Sequence, residues 1–336
     1  MRGALTKTQQ PNVRWKRIWV HEAKSMVLAV PQPLVLIPKN GLGNRLRAIA
    51  GGLATARALG RELEVLWEPF DGSATTPEDL FDAPSSFRFI TPGDAAHRGI
   101  VSQDIPKYVN SGAKIVSLRG YDRGQQVLLP HFLGLARSSP QKEAVIAAGN
   151  YFHPDARSDR EVPKKTVPER QELSKSLLFN QNVLSRASTT RPPGDYLAVH
   201  LRSSDRRKEV PSPTRLLSRV VSLARKTHLT NIFVCSDTEK TRTTAREFLQ
   251  NSGLQVFFEP QTPARRDVEG EINAGADFVN LQHAWILVGS RASTFATEAG
   301  ILLPSDRTIL LDRRTTGVPA FDRILRRRFG DSSRIW

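Results

Sequence analysis

Tyr196-Leu197-Ala198-Val199-His200-Leu201-Arg202-Ser203-Ser204-Asp205 is an apolar run that breaks abruptly into charge. Its continuous, mostly apolar first six residues predict a buried strand over 196–201. Beyond it the chain repeats one alternation. Helical spacing covers 212–228, an apolar strand 231–235, a helix 238–251 ended by Gly253, and a strand 254–258. A helix over 273–283, a strand over 285–288, a helix over 293–303 and a last strand over 308–311 complete the series. Strands alternating with helices form a parallel sheet wrapped by those helices. Just upstream, Arg191-Pro192-Pro193-Gly194 interrupts any regular element and marks the expected domain boundary.

The first half begins the same way. A strand at Leu34-Val35-Leu36-Ile37 runs into a glycine turn, Asn40-Gly41-Leu42-Gly43-Asn44. From Arg45 to Leu59, apolar Leu46, Ile49, Leu53, Ala56 and Leu59 recur at helical spacing, and Gly60 closes the helix. Leu63-Glu64-Val65-Leu66-Trp67 is the next strand, so this is the start of a βαβ unit. From 68 to 183 the pattern weakens. Thr76-Pro77-Glu78-Asp79 reads as a capped helix start, and the polar stretch 155–172, with Pro163 and Pro168, as a surface loop or part of the domain junction. The expected organisation is a basic, loosely ordered extension over 1–32 and two α/β domains over 33–190 and 191–336, facing each other across a cleft. Ligands in such open sheets bind outside the carboxyl ends of the strands.

A chain of 336 residues can bury two cores. With 39% hydrophobic and 24% charged residues the composition is globular. No run approaches the roughly 20 apolar residues of a membrane span, and the polar, basic 1–24 is a poor export signal. A soluble, cytoplasmic enzyme is therefore expected. The single Cys235 cannot form an intrachain disulfide and lies in the apolar run Ile232-Phe233-Val234-Cys235, where a structural role is the expected one. A net charge of +16 calls for an anionic partner or a tolerated self-repulsion. Nucleic acid, anionic membrane and phosphorylated small molecules all qualify. The basic knots at 206–208, 265–266, 313–314 and 326–328 read mostly as a solvated arginine-rich surface.

Four places carry chemistry. Gly41-Leu42-Gly43-Asn44-Arg45 joins a strand to a helix, where glycines let backbone approach a ligand, the helix start offers N–H groups to an anion, and Arg45 would add a fork of donors. A purely structural turn explains it equally well. The six-position dinucleotide fingerprint and the P-loop pattern are both missing. In the second place, His200 and Arg202 point to one side of their strand, near its carboxyl edge. Arg202 can clamp a pyrophosphate, and Asp205 can hold that arginine or bind a substrate hydroxyl. Third, Gly289-Ser290-Arg291-Ala292-Ser293-Thr294-Phe295 feeds a helix start suited to an anion, although Ser293 is also an ordinary N-cap. Fourth, Ser236-Asp237 comes after a strand and suits a base or ribose contact, or a plain cap. No His-x-x-His or His-x-x-x-His pair, Asp-x-Asp pair or Gly-x-Ser-x-Gly stands in the chain, so no metal is expected at the site.

Gly41-Leu42-Gly43-Asn44-Arg45-Leu46, His200-Leu201-Arg202-Ser203-Ser204-Asp205, Ile232 to Asp237 and Val288 to Glu298, in this order, resemble the α1,6-fucosyltransferase and protein O-fucosyltransferase superfamily, which includes the rhizobial nodulation enzymes. The resemblance covers about a quarter of the chain. It implies a GT-B arrangement of two Rossmann-like domains and an inverting, metal-independent transfer of fucose from GDP-fucose to a glycan or peptide hydroxyl, with no further cofactor. By the match, Arg202 would bind the β-phosphate and stabilise departing GDP, with His200 and Asp205 shaping the pocket. Asp237, after Ser236, would face the guanine side, and Ser293, Thr294 and Phe295, after Ser290, would offer amides and hydroxyls to the diphosphate. Gly43 and Asn44, beside Gly41 and Arg45, would line the cleft from the first domain. Ser203 stands where α1,6 members carry a second arginine, so the α1,6 linkage and chitin-type acceptor are not implied. Glu209 falls one residue nearer the histidine than the carboxylate of those members and is the candidate general base, or equally a salt-bridge partner for the basic run beside it.

Two alternatives belong to other classes. A sulfotransferase or other nucleotide-dependent transferase would use Pro38-Lys39-Asn40-Gly41 as a phosphosulfate loop, leaving the His200 to Asp205 element unexplained. A non-catalytic basic nucleotide- or nucleic-acid-binding protein fits the charge, but no recognisable nucleic-acid module is present.

Overall fold

The computed structural model describes residues 30–69, 74–100, 115–118, 129–150, 152–156, 161–202, 210–259 and 267–312. The extension is thus outside the described residues up to position 29, as are Asp205 and Glu209. In chain order the first half runs β1 (Leu34–Pro38), α1 (Leu42–Leu59), β2 (Leu63–Leu66), α2 (Pro77–Leu80), β3 (Arg88–Ile90), α3 (Pro92–His97), β4 (Ile115–Leu118), α4 (Leu129–Ser138), β5 (Ala144–Ala148), α5 (Val162–Lys165), α6 (Val167–Ser176) and α7 (Gln181–Thr190). The second half runs β6 (Leu197–Leu201), α8 (Pro213–Thr227), β7 (Asn231–Ser236), α9 (Glu239–Gln250), β8 (Gln255–Phe257), α10 (Val268–Gln282), β9 (Ile286–Ser290), α11 (Thr294–Ala299) and β10 (Thr308–Leu311).

Two five-stranded sheets result, ordered β3-β2-β1-β5-β4 and β10-β9-β6-β7-β8. The second is parallel throughout, with Leu197 opposite both Ile232 and Ile286. In each sheet the strand order reverses beside the first strand, between β1 and β5 and between β6 and β9. These are the switch points where open α/β sheets leave a crevice. The first sheet departs from the expected all-parallel form at its edge, where β4 runs antiparallel to β5, Ile115 opposite Ala147. An antiparallel edge needs no crossover helix on the sheet face, and many doubly wound sheets carry one.

Alternating residues decide which core each strand side faces. Leu197, Val199 and Leu201 pack outward with the apolar stripes of α8 and α9, and Val35 and Ile37 face a smaller cluster that includes Ile90, Ala95 and Ile100. Leu34 and Leu36 of the first sheet and Ala198, Phe233 and Cys235 of the second belong instead to one continuous core. Each fully buried aliphatic side chain there is worth about 1.5–3 kcal/mol relative to exposure. The α/β architecture of two Rossmann-like halves is therefore as expected, and the halves share apolar interior. Among the described residues, no helix is long and apolar enough to cross a membrane.

Some boundaries differ from the expected ones for local reasons. Helix α1 begins at Leu42 rather than Arg45, because Asn40 takes the left-handed turn (φ 69°) and Gly41 serves as N-cap. Helix α10 begins at Val268 because the Asp267 side chain caps it by accepting from Gly270 N. Helix α11 stops at Ala299 rather than 303. There Gly300 lies so close to β10 that a Cβ would stand 2.6 Å from Thr308 Cγ2.

Candidate functional site at the strand carboxyl ends

Register builds the centre of the site. His200 stands opposite Cys235 and Leu201 opposite Ser236, so the parallel pairing carries Arg202 to the level of Asp237. Arg202 Nε lies 3.4 Å from Asp237 Oδ2, with both side chains partly open (17% and 12% exposed). Asp237 thereby orients Arg202; Asp205, to which the sequence offers the same role, lies outside the described residues. His200 and Cys235 lie on the inner face with them, and the His200 ring stacks on Phe295 at 5.4 Å. Gly289 makes room for this arrangement, since a Cβ there would meet Ala296 Cβ at 2.8 Å and His200 Cβ at 3.8 Å.

The loop from β9 into α11 completes this edge. Ser290 is buried and its Oγ accepts from Ala292 N at 3.2 Å. Ser293 is the N-cap, its Oγ accepting from Ala296 N at 3.3 Å. Its hydroxyl oxygen is thus already engaged as a cap, while Thr294 and Phe295 stay half-buried.

From the first domain, Gly41, Gly43 and Asn44 sit at the start of α1, and Asn40 Nδ2 bridges the switch point by donating to Gly149 O at 3.2 Å. Gly43 is required by a close approach. A Cβ would stand 2.9 Å from Phe295 N, so the two helix starts meet backbone to backbone. Arg45 corrects an expectation. Its guanidinium is fully buried, stacked over Trp67 at 4.3 Å, and donates to Asn40 O (Nε, 3.0 Å) and Glu68 O (Nη2, 2.9 Å). Burial lowers its pKa to about 10. It braces the turn from inside rather than offering a fork to a ligand. Lys39 is also buried, 3.5 Å from Glu68 Oε2, with its pKa lowered by desolvation. That is a poor posture for a phosphosulfate-loop lysine.

One residue escaped the sequence reading. On the buried face of α10, Asn273, Asp277 and Asn280 recur at helical spacing. Asn280 donates to Ala187 O and Thr190 Oγ1, and Asn273 accepts from Arg186, so both tie α10 to α7. Among the described residues, neither carboxylate oxygen of Asp277 has a nitrogen or oxygen partner. Its neighbours are the Cys235 thiol, the buried Arg242 and Glu259, and desolvation pushes its pKa up to about 7. The Cys235 thiol is itself raised by burial and by Asp277, so it is inert as a nucleophile. Polar residues three and four apart on an otherwise apolar helix face were the signal that could have found Asp277.

Away from these strand ends, a cavity of about 280 Å³ opens between the domains, lined by Leu173, Leu177, Phe179, Phe278, Val279 and Leu302 among others. Its walls are mostly apolar and its Arg170 is already held by Glu298, which does not suit a diphosphate.

No protein-family model and no curated protein matches the sequence. Solved structures do match its fold. POFUT1 in complex with GDP-fucose superposes with a TM-score of 0.52 over 84% of this chain and 98% of that one, at 16% identity. Fucosyltransferase NodZ from Bradyrhizobium superposes with a TM-score of 0.52 over 81% of this chain and 94% of that one, at 17% identity. A NodZ α1,6-fucosyltransferase soaked with GDP-fucose gives 0.50 over 81% and 93%, at 17% identity. Across more than four fifths of its length, this chain shares the two-domain fold of these fucosyltransferases.

Proposed function

We propose that the chain is an inverting, metal-independent glycosyltransferase that moves fucose from GDP-fucose to an acceptor hydroxyl of a glycan or peptide. The observation that carries this reading is Arg202. It stands at the carboxyl end of β6, beside the switch point with β9, partly open and oriented by Asp237. The shared fold supports the donor class, since the matching POFUT1 and NodZ structures were solved with GDP-fucose.

In this reading the guanidinium of Arg202 hydrogen-bonds the β-phosphate and takes up the charge that develops as GDP leaves. The acceptor oxygen attacks the anomeric carbon as the bond to the phosphate oxygen breaks. The configuration inverts, an α-fucoside forms, and the acceptor proton passes to a base. Glu209 remains the candidate base. Guanine presents N1–H and an exocyclic amine side by side, a pair of donors that one carboxylate can accept together. Asp237, partly open at the end of β7, is the candidate for that contact. A cytoplasmic location is part of the proposal, supported by the single cysteine being a buried free thiol. No specific nucleic-acid partner is included in it.

Calorimetric titration with GDP, against UDP, ADP and adenosine 3′,5′-bisphosphate, with EDTA throughout, tests the donor. Selective GDP binding that Arg202→Ala weakens, followed by fucose transfer in an acceptor screen, is the expected result. Equal affinity for all four nucleotides would sink the donor assignment, and a preference for the bisphosphate would favour a sulfotransferase.

A further inference from the structure

The helix starts of α1 and α11 touch at Gly43, where an added Cβ would stand 2.9 Å from both Phe295 N and the Thr294 carbonyl carbon. Four residues further along each helix lie Arg47 and Glu298, and residues so spaced stack on the same helix face. Arg47 Nε donates to Glu298 Oε1 at 2.6 Å. From α6, Arg170 closes on the same carboxylate, with Nε 2.6 Å from Oε2 and Nη2 2.9 Å from Oε1. The Arg47 side chain is 9% exposed, that of Arg170 6% and that of Glu298 4%. Arg47 Nη1 also reaches Asn150 Oδ1, just beyond β5, at 3.4 Å. One carboxylate of the second domain is thus gripped by two guanidinium groups from elements packed in the first.

A buried ion cluster is a weak stability device, because apolar residues of equal volume often do as well. Its charged, forked hydrogen bonds do fix distance and rotation together. Here they act one helical turn behind the contact between the two turns that face the cleft. We propose that Glu298 is a positioning residue. Through Arg47 and Arg170 it sets α1 against α11, and with them the spacing between the Gly41–Asn44 and Ser293–Phe295 turns across which the donor lies. The link to the donor rests on the proposed function, and the experiment separates the two.

Arg47→Met removes the bond that ties α1 to α11 while the second cross-domain pair, Arg170–Glu298, stays, and Arg47→Lys keeps a cation there. Full-length wild type and both variants, with folding checked by circular dichroism and a thermal melt, are read in two ways. Amide hydrogen exchange of the unliganded protein tracks segments 41–50 and 290–299, and calorimetry gives GDP affinity. The expected result for Arg47→Met is exchange at least tenfold faster in both segments, with wild-type rates in α8 and α9. GDP binding weakens tenfold or more, and Arg47→Lys recovers most of both effects. Unchanged exchange in a folded Arg47→Met overturns the proposal. So does an acceleration spread evenly over the molecule, or a local acceleration that leaves GDP affinity intact. If wild type does not bind GDP, the donor reading falls, and exchange in the two segments alone decides whether Glu298 positions them. If Arg47→Met does not fold, Glu298→Gln, which keeps an acceptor for Arg47, replaces it under the same criteria.

Discussion

Arg45 and Arg202 occupy comparable places, each near the carboxyl end of the first strand of its sheet, and they are held in opposite ways. Arg45 lies in the first turn of α1, where the carbonyls of Asn40 and Glu68 and the face of Trp67 engage it in the dry interior. Arg202 directly follows β6, where a carboxylate at the matching level of β7 steadies it and leaves part of it open. An arginine at a strand edge is therefore available to an anion only when its donors are not already taken by the backbone. Burial decides which case holds. A guanidinium closed off between backbone carbonyls and a ring face is a structural brace, and one steadied by a carboxylate at a crevice can turn donors toward a ligand.

The largest expected effect tests the brace. Arg45→Ala leaves two carbonyls unpartnered and a cavity beneath Trp67, and should lower unfolding free energy in urea by about 3–5 kcal/mol. A loss below about 1 kcal/mol would mean that Arg45 is not a brace and would break the contrast. Asp277 extends the comparison to pH. Its folded-state pKa of about 7 lies above the ordinary 3.8. Folding therefore takes up a proton between about pH 4 and 7, and this contribution to stability falls as pH rises through that window. The slope should approach about 1.4 kcal/mol per pH unit and flatten above pH 7. Asp277→Asn should abolish it in urea melts at pH 5 and 8.

Arg202→Ala should weaken GDP binding by about 1.5–3 kcal/mol, the worth of hydrogen bonds to a charged group, and shift the melt little. A large melting shift with unaltered GDP affinity would make Arg202 a second brace. The smallest effect concerns the cap. Ser293→Ala should lower stability by about 1 kcal/mol, and GDP affinity that stays within twofold of wild type would assign Ser293 to capping alone.

The second half of the fold was legible because its strands are continuous apolar runs separated by amphipathic helices, and the strand ends of 196–201 and 231–235 delivered Arg202 and Asp237 with them. That Asp237 meets Arg202 was not legible, because it depends on register between strands 30 residues and more apart in the chain. Arg45 was misread for a related reason. Its partners are backbone carbonyls and Trp67, brought together only when β1 and β2 pair. The stretch from 68 to 183 hid α6 and α7, whose stripes are too short or too polar to stand out and whose stability comes from docking on α1 and α10.

The continuous core between the two sheets bears on how this chain can be divided. Leu34 and Ala198, far apart in sequence, end in the same apolar interior with Phe179, Phe278 and Tyr196 around them. Halves cut at the proline-rich junction would each expose a face built for the other, so neither is suited to separate expression or to grafting onto a foreign partner. One cooperative calorimetric peak is the expected thermal counterpart of that shared interior. In evolution, exchange of one half would then require matched substitutions along the seam of the other.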